Sequence, residues 1–390
     1  MLMVPLLDQG GLERICAMTA KLLTPHCHLT LVVFSTKGMI YDVDGVDMID
    51  LNLGSVPGKV GKAVNLCKRI RAIKKIKRER NIEITYSFGP TANLANVFTR
   101  VKNAKVNHEQ ITDKIWVGIR GYGALEDKYD MTLFCKRADK VVCCSQIMAD
   151  DVKTQFGAKD VVCVYNPCDV ESIRRLAEEP LPADSQKFFD TGAPVVAAMG
   201  REHDVKGFWH LIKAFALAKK KIPALKLMIV GEGTFAEYRK LAEDLQVEQD
   251  VWFTGVQKNP FAYLKQASLF VMTSVSEGFP NSLIEAMAVG IPAMSVNCKT
   301  GPAEIFLDDY RKSGDGHTVI EGEYGVLLPV IHPEKNLDAS VIEKEEEIMA
   351  EQMVKVLTEP EKLAERKAAS LKRAEDFSVQ AYTDSLLRMI

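Results

Sequence analysis

The chain has 390 residues, of which 47% are apolar, and a formal net charge of −2. This length predicts two or three domains with substantial cores, and the balanced charge argues against a nucleic-acid-binding protein. No apolar run approaches the ~20 residues that a membrane-spanning helix needs, and the first residues lack the basic start and cleavage site of a secretion signal.

The nine cysteines do not form a disulfide or zinc-binding pattern. Cys143 and Cys144 are adjacent, the others are scattered, and no Cys-x-x-Cys pair occurs. An odd number of scattered cysteines is typical of a reducing compartment, so we expect a cytoplasmic protein.

Strand and helix patterns alternate in the first half of the chain and predict a parallel α/β domain. We predict strands at 2–7, 29–35, 82–88, 104–107, 140–144 and 161–165, and helices at 12–23, 59–80, 93–100 and 146–156. The first strand is followed by Gly10 and Gly11, which allow a ligand to approach the backbone. An ordinary tight turn is the more common meaning of such a pair.

Two polar features of this half have both a structural and a functional interpretation. Asp42 and Asp44 match an Asp-x-Asp metal motif, but the surrounding turn residues favour a plain turn. A lone histidine such as His108 is usually structural. However, His108 follows the predicted strand 104–107, which would place it at the carboxyl edge of the sheet, where ligands bind.

The predicted helix 59–80 is strongly basic. Its apolar residues recur at helical spacing and predict one packed face, formed by Val60, Val64, Cys67, Ile70, Ile73 and Ile76. A solvated basic face is the structural interpretation of the rest. The alternative is contact with anionic lipid, at roughly 1 kcal/mol per basic residue near the surface.

Periodicity is lost around Pro180 and Pro182, which predicts a linker at 176–192 between a domain at 1–175 and a second α/β domain at 193–371. In the second domain we predict strands at 195–199, 225–230, 251–253, 269–273, 291–296 and 325–329, and helices at 208–221, 235–245 and 260–266.

The stretch 273–295 contains a strand end, a turn and a helix that Asn281 or Ser282 is expected to cap. A helix N-terminus exposes unpaired N–H groups and the positive end of a dipole, which suit a diphosphate. Glu277 and Glu285 flank this helix start and can bind hydroxyls. The alternative is a capping box, in which Glu285 only satisfies backbone donors.

Other nucleotide-binding patterns are weak or absent. The segment from Gly231 through Gly233 to Ala236 satisfies the dinucleotide pattern, but no acidic residue follows the next strand, so NAD is not expected. A Walker A sequence is also absent, which argues against ATP hydrolysis of the P-loop type.

Two cations, Arg201 and Lys206, follow the first strand of the second domain. The carboxyl ends of parallel strands meet at one edge, so these cations are expected near Glu277, Glu285 and the helix N-terminus. Two cations, a helix N-terminus and two carboxylates together predict a site for a nucleoside diphosphate-sugar.

These motifs resemble those of the retaining glycosyltransferases of family 4, and the resemblance covers essentially the whole chain. The matching residues are Gly10, Gly11, Glu13, Arg14, Gly200, Arg201, Lys206, Gly207, Val230, Gly231, Gly233, Phe253, Gly255, Glu277 and Glu285. The resemblance implies the GT-B fold, an α/β architecture of two Rossmann-like parallel-sheet domains facing a central cleft. It also implies that a final helix at 372–390 crosses back to the first domain.

The same resemblance implies a role for each matched residue. The catalytic residues would be Arg201, Lys206, Glu277 and His108, with the two cations on the diphosphate and Glu277 on the donor sugar. The donor-binding residues would be Gly11, Gly200, Gly231, Gly233, Thr254, Gly255, Gly278, Phe279, Pro280, Asn281, Ser282 and Glu285, with Glu285 on the ribose.

The implied activity is transfer of a hexose or N-acetylhexosamine, with retention, from a UDP-sugar to a hydroxyl of a glycan or lipid-linked acceptor in surface polysaccharide or glycolipid synthesis. We expect no metal or other cofactor. Peripheral contact of helix 59–80 with the inner face of an anionic membrane remains the alternative to a solvated basic face. The alternatives are a nucleotide-sugar epimerase of the same fold and a non-catalytic partner subunit of a glycosyltransferase. A phosphorylase would need a pyridoxal-bearing lysine, for which no motif is found.

Overall fold

The computed structural model describes residues 1–8, 10–106 and 109–390, with the side chains of 103–106 and 109–111 outside that description. The chain forms two compact units. Unit 1 comprises Met1–Pro167 and Val379–Ile390, and unit 2 comprises Cys168–Ser378. Each unit contains a seven-stranded sheet.

Unit 1 has a wholly parallel sheet, as the alternating pattern predicted. The strands of unit 1, in this sheet and in a separate pair, are β1 Leu2–Val4, β2 Thr30–Val33, β3 Asp47–Asp50, β4 Ile84–Phe88, β5 Lys102–Val106, β6 Glu109–Thr112, β7 Lys114–Ile119, β8 Lys140–Cys143 and β9 Val161–Cys163. Its first helices are α1 Gly11–Leu23, α2 Lys59–Glu79, α3 Pro90–Asn96, α4 Lys128–Arg137 and α5 Gln146–Phe156. The strand order in the sheet is β3, β2, β1, β4, β7, β8, β9.

The central strands of this sheet are buried on both faces. Leu2 and Val4 belong to one hydrophobic core, whereas Met3 between them belongs to another. Successive side chains of a strand point to opposite faces, so an unbroken apolar run supplies both cores at once.

The segment 102–119 differs from the prediction. The strand predicted at 104–107 is not part of the main sheet, because β5 pairs antiparallel with β6 in a separate two-stranded sheet. The next strand of the main sheet is β7, which lies between β4 and β8 and was not predicted. The residues at the carboxyl end of β7, beginning with Arg120, therefore occupy the sheet edge where we had expected His108.

The packed face of α2 also differs from the prediction. Val60 is 79% exposed and Val64 is 50% exposed, so the apolar repeat does not face the core in the first half of the helix. Arg69 is buried instead, with its guanidinium 4.3 Å from the ring centroid of Phe34. Lys77 is fully buried and paired with Asp113 at 2.7 Å. Long basic side chains can pack their aliphatic stems, which a purely apolar pattern does not detect.

Unit 2 follows the predicted succession of elements closely. Its strands are β10 Val195–Met199, β11 Lys226–Val230, β12 Val251–Gly255, β13 Leu269–Met272, β14 Ala293–Val296, β15 Ile320–Glu321 and β16 Val326–Leu328. Its helices are α6 Val170–Ala177, α7 Ala183–Gln186, α8 Phe208–Lys219, α9 Ala236–Asp244, α10 Pro260–Leu264, α11 Asn281–Ala288, α12 Pro302–Phe306, α13 Lys344–Thr358 and α14 Pro360–Glu375. The strand order is β12, β11, β10, β13, β14, β16, β15, and only β15 runs antiparallel.

The division between the units comes after Pro167, whereas we predicted a boundary after residue 175 and a linker at 176–192. The segment predicted as a linker packs on unit 2. Phe188 accepts a hydrogen bond at its carbonyl from Lys226 Nζ, at 2.6 Å, and its ring centroid lies 4.9 Å from that of Trp252. Aromatic residues in a stretch without clear periodicity therefore mark a packed segment here.

The end of the chain returns to unit 1, where we predicted a crossing helix at 372–390. The returning element is α15 Val379–Leu387, which is shorter than predicted. Residues 372–378 belong to unit 2 instead. Tyr382 of α15 is buried, and its hydroxyl lies 2.7 Å from Thr19 Oγ1 of α1. Within the described ranges, no helix combines the length and apolarity that spanning a bilayer requires.

Candidate functional site

The candidate site lies in unit 2, at the sheet edge where the parallel strands β10, β11, β13 and β14 end. Carboxyl ends of parallel strands meet at one edge, and ligands of open α/β sheets bind there. The turns that follow these strands carry most of the residues that the sequence singled out in this half of the chain.

An ion pair joins two of these turns. Lys206, in the turn after β10, donates from Nζ to Glu277 Oε1 after β13, at 2.6 Å. The two side chains are 21% and 15% exposed. The pair is therefore accessible to a ligand. Its partial burial lowers the effective dielectric constant, which strengthens the electrostatic interactions of both charges at short distance.

Backbone contacts hold the two members of this pair in place. Thr273 Oγ1 donates to the carbonyl of Lys206, at 2.9 Å, and Thr300 Oγ1 donates to the carbonyl of Glu277. Both threonines are buried. Sequence reasoning missed this role, because a threonine that bonds a distant carbonyl leaves no local motif.

Glycines shape the turn after β10. A Cβ on Gly200 would lie 3.2 Å from Cε of Lys206, so the lysine stem occupies the space above this glycine. Gly231 has φ of +154°, and a Cβ there would lie 1.9 Å from the carbonyl oxygen of Gly200. The turns after β10 and β11 can approach this closely only because both residues lack side chains.

Glu202 ties these two turns together and was not predicted. Its Oε2 accepts from the backbone N–H of Phe235, at 2.8 Å, and its backbone N–H donates to the carbonyl of Glu232. A Cβ on Gly233 would lie 2.3 Å from Cβ of Glu202. The Gly231–Gly233 pattern is thus explained by contact with the Arg201–Lys206 turn.

The start of α11 differs both from the expected cap and from the alternative of a capping box, because Asn281 is already the first helical residue. The N-cap residue is Pro280, and no side chain caps the helix. Ser282 is the second helical residue, so it cannot be the cap, and Glu285 does not close a box with it. Pro280 has no side-chain acceptor for the first N–H groups, which distinguishes this N-terminus from a self-capped helix.

The residues around this helix start are otherwise packed. Glu285 is 7% exposed, and Gly278 is buried. The ring centroid of Phe279 lies 5.2 Å from that of Phe377. These contacts fix the loop from Glu277 to Pro280, which the ion pair and Thr300 also hold.

The charges of Glu277 and Lys206 both affect the pKa of the Cys298 thiol. Burial raises the pKa of this thiol, the negative charge of Glu277 raises it further, and Lys206 acts in the opposite direction. Cys298 is 2% exposed. It lies close enough to the ion pair for both charges to influence its pKa. Because the pKa is raised, the thiol stays neutral.

The remaining predicted residues of unit 2 lie at the same edge. Arg201 is exposed and has no ion-pair partner among the residues that the structure describes. Thr254 Oγ1 donates to the carbonyl of Gly255, and the Thr254 carbonyl accepts from Gln257 Nε2 at 2.7 Å. The turn at Thr254 and Gly255 is therefore held by its own contacts.

Two predicted residues belong elsewhere. Gly11 is the first residue of α1 in unit 1 and is exposed. His108 lies outside the described residues.

Among the described residues, one group has the composition of a metal site, namely His210, Glu343 and Glu346. Nδ1 of His210 lies 2.8 Å from Glu346 Oε1, and Nε2 lies 2.9 Å from the carbonyl oxygen of His332. Since protein acceptors occupy both ring nitrogens, we interpret this group as a contact between α8 and α13. At the Asp-x-Asp motif, Asp42 accepts from its own turn and from a lysine, as expected of a plain turn.

The family comparison identifies the part of the chain that contains this site. Residues 182–323 match the family model of glycosyl transferases group 1. This range includes every predicted donor-site residue of unit 2.

Two relatives match over more than half of this chain. An uncharacterised glycosyltransferase of Methanocaldococcus jannaschii is 32% identical over 253 residues, which are 63% of this chain and 62% of that protein. This chain therefore spans less than two thirds of that relative. A Campylobacter jejuni protein is 28% identical over 332 residues, which are 83% of this chain and 84% of that protein. It is named as a 4-alpha-N-acetylgalactosaminyltransferase acting on a diphospho-undecaprenol-linked saccharide.

Solved structures support the fold. A protein of Anabaena, crystallised with UDP and glucose, superposes with a TM-score of 0.69 at 17% identity and covers 100% of this chain and 99% of that one. At this identity the likeness shows the fold alone, which is the GT-B arrangement of two parallel-sheet domains.

Proposed function

We propose that this chain, which belongs to the group 1 glycosyltransferases and has the GT-B fold, transfers a hexose or N-acetylhexosamine from a UDP-sugar with retention of configuration. The acceptor is a hydroxyl of a glycan or lipid-linked saccharide, and the product belongs to a surface polysaccharide or glycolipid. The named reaction of the Campylobacter relative supports the acceptor class, and the Anabaena complex supports UDP.

The observation that carries the proposal is the Lys206–Glu277 ion pair beside the N-terminus of α11. It combines a cation for a diphosphate, a carboxylate for sugar hydroxyls and a helix start without a side-chain cap. A helix N-terminus of this kind favours phosphate oxygens.

The difficult step is departure of the nucleoside diphosphate, on which negative charge accumulates. Lys206 and Arg201 stabilise that charge together with the first amides of α11, so they act on the transition state more than on the ground state. An arriving diphosphate competes with Glu277 for the ammonium of Lys206. Once the pair is loosened, Glu277 can accept hydrogen bonds from the donor sugar.

The other site residues position the donor. Glu285 binds the ribose, and the turn at Thr254 and Gly255 borders the base. We also propose that Gly11 binds the donor and that His108 acts in catalysis. None of these roles requires a metal ion, and we propose that the reaction is metal-independent.

A thermal-shift panel of nucleoside diphosphates and their sugars tests the donor assignment. A ligand that binds only the folded protein raises the melting temperature by mass action. We expect UDP and one UDP-sugar to stabilise the protein most, and Lys206→Ala to reduce the shift. Absence of a shift with every nucleotide would contradict the proposal, whereas conversion of the nucleotide sugar without an acceptor would favour an epimerase.

We also propose that the enzyme works in the cytoplasm, at the inner face of a membrane. No disulfide joins the cysteines that the structure describes, which agrees with a reducing compartment. The exposed row of α2, which we name the α2 stripe, is formed by Val60, Val64, Cys67, Lys68, Arg71, Lys75 and Arg78. It combines apolar and basic side chains, and such a surface binds anionic lipid.

A further inference from the structure

A lysine that the sequence patterns did not single out contacts the turn that carries Lys206. Nζ of Lys335 lies 3.0 Å from Asp204 Oδ1 and 2.5 Å from Glu237 Oε2. Asp204 begins the single 3₁₀ turn Asp204–Lys206 after β10, and Glu237 lies in the first turn of α9. Lys335 therefore joins two elements that follow neighbouring strands of unit 2.

The ammonium of Lys335 is partly shielded from water. Its side chain is 24% exposed, and Nζ lies 5.3 Å from the ring centroid of Tyr238, which is fully buried. Burial lowers the pKa of Lys335, but the hydrogen bonds to Glu237 and Asp204 outweigh this effect and hold the pKa above its ordinary value. Two carboxylates and an aromatic face thus keep this cation charged and in one position.

The backbone around Lys335 is also fixed. Lys335 belongs to the segment 329–343 between β16 and α13, which we name the strap. His210 Nε2 donates to the carbonyl of His332, at 2.9 Å, and Lys213 Nζ donates to the carbonyl of Val341, at 2.8 Å. Both donors belong to α8 and are fully buried. Moving the strap would break buried hydrogen bonds, so Lys335 is attached to a rigid support.

The turn Asp204–Lys206 is itself rigid. Four successive carbonyls, those of residues 203–206, accept hydrogen bonds. The first two bonds come from the backbone N–H groups of residues 206 and 207, at 2.9 Å and 3.0 Å. The other two come from the N–H of Val275 and from Thr273 Oγ1, at 2.9 Å each. A turn with this many bonds moves as one body, so a displacement of Asp204 also displaces Lys206.

The bonds from Thr273 and Val275 hold only one side of this turn. They reach its last two residues from the end of β13. A body that is attached along one side is free to pivot about that side. Lys335 holds the first residue of the turn from the opposite direction, that of α9, and so removes this freedom.

We infer that Lys335 is a positioning residue for the proposed transfer, which holds Asp204 so that Lys206 stays aimed at the leaving diphosphate. This inference rests on the proposed function and adds a residue that acts through Lys206. The rival explanation is that Lys335 only neutralises Asp204 and Glu237, whose charges would otherwise repel a diphosphate.

Removal of the ammonium tests the inference. Lys335→Gln is expected to lower kcat by at least about threefold, because even a small displacement of a group that stabilises the transition state is costly in rate. We expect KM to change less than kcat, because Lys206 acts on the transition state more than on the ground state. Steady-state kinetics with the UDP-sugar selected by the thermal-shift panel measure both. Lys335→Arg keeps a charged donor and should restore most of the activity, whereas full kcat in Lys335→Gln would overturn the inference.

A second background shows whether Lys335 acts through Lys206. In the Lys206→Ala variant, Lys335→Gln is expected to cause no further loss of kcat, because the side chain that it positions is absent. If the two losses multiplied in the double variant, Lys335 would act independently of Lys206 and the inference would be wrong.

Asp204→Asn separates positioning from neutralisation of charge. Asparagine loses the ion pair with Lys335, so positioning predicts a loss of kcat similar to that of Lys335→Gln. Neutralisation predicts tighter donor binding and undiminished kcat, because a negative charge is removed from the surroundings of the diphosphate. An undiminished kcat in Asp204→Asn would therefore refute the positioning role.

Lys219→Gln is the matched control. Lys219 is the last residue of α8, its side chain is 18% exposed, and its Nζ lies 2.8 Å from Asp250 Oδ2. Both glutamine variants thus remove a partly buried, ion-paired lysine of unit 2, but Lys219→Gln should keep full activity. Equal losses of kcat in the two variants would point to a general loss of stability and would overturn the inference.

The thermal-shift assay keeps this inference distinguishable from the proposed function. If UDP failed to stabilise the unmodified protein, the proposed function would fail. If UDP stabilised it and Lys335→Gln kept full kcat, only the positioning role of Lys335 would fail.

Discussion

Lys206 and Glu277 are 71 positions apart in sequence, and Nζ of the lysine lies 2.6 Å from Oε1 of the glutamate. Each residue also has its carbonyl bonded by a buried threonine. The pair is thus held through its backbones, and its side chains remain partly exposed. A ligand can therefore bind either charged side chain while the backbone of both turns keeps its conformation.

Lys206→Ala is expected to lower kcat by at least about tenfold. A hydrogen bond to a charged group is worth ~1.5–3 kcal/mol, and ~1.4 kcal/mol changes a rate tenfold. Steady-state kinetics with the donor identified in the thermal-shift panel provide the measurement. Lys240→Ala, which removes an exposed lysine paired with Asp244, is the control and should keep full activity. Unchanged turnover of Lys206→Ala would refute its catalytic role.

Thr300→Val is expected to lower kcat/KM by about two- to twelvefold while the protein stays folded. The substitution keeps the shape of the side chain but removes the hydroxyl that bonds the Glu277 carbonyl. A net hydrogen bond contributes ~0.5–1.5 kcal/mol, which sets this range. Thr300→Ser retains the donor and should restore most of the activity. An equal loss in both variants would point to packing instead.

Activity is expected to survive exhaustive treatment with EDTA. The proposed stabilisation of the leaving diphosphate comes from Arg201, Lys206 and the amides of α11, none of which a chelator removes. Initial rates are compared before and after chelation and after addition of Mg²⁺ or Mn²⁺. Loss of activity that a metal restores would revive Asp42 and Asp44 as candidate ligands.

Cys298 is expected to resist alkylation in the folded protein, whereas Cys67 reacts. Burial and Glu277 raise the pKa of the Cys298 thiol, so the reactive thiolate is scarce at pH 8, and Cys67 is exposed. The raised pKa also means that folding stability falls as pH rises above the ordinary thiol pKa of about 8.5, since only the unfolded chain then loses this proton. Peptide mass mapping after iodoacetamide treatment measures each site, with the denatured protein as control. Rapid labelling of folded Cys298 would contradict the assignment.

The double variant Lys68→Glu with Arg71→Glu is expected to bind anionic vesicles at least about tenfold more weakly. Each basic residue near an anionic surface contributes ~1 kcal/mol, and reversal adds repulsion. Co-sedimentation with vesicles of 30 mol% phosphatidylglycerol (a composition chosen on the order of an anionic leaflet) gives the bound fraction. Lys220→Glu with Lys221→Glu makes the same charge change on unit 2 and should bind normally. Equal losses in the two double variants would show that overall charge, rather than the α2 stripe, governs binding.

Short-range patterns in the sequence were sufficient for most of unit 2. The predicted strand 195–199 and the start of the helix at Phe208 agree with β10 and α8, because glycine turns and apolar runs there act locally. The same patterns did not predict the strand β7. They also gave the wrong packed face for α2, where Arg69 and Lys77 are buried and Val60 and Val64 are exposed. Burial of a charged residue depends on a distant partner, as Lys77 depends on Asp113.

The sequence by itself determined the fold class, the family resemblance and the ligand-side turns that carry Arg201, Lys206 and Glu277. These features depend on residue type and spacing over a few positions, which a single chain displays directly. Only the tertiary structure decided that Lys206 pairs with Glu277, that Pro280 leaves α11 without a side-chain cap, and that Thr300 bonds the Glu277 carbonyl. These contacts join residues that are far apart along the chain or depend on the geometry of a helix start, and no local pattern encodes which distant atoms come within hydrogen-bonding distance.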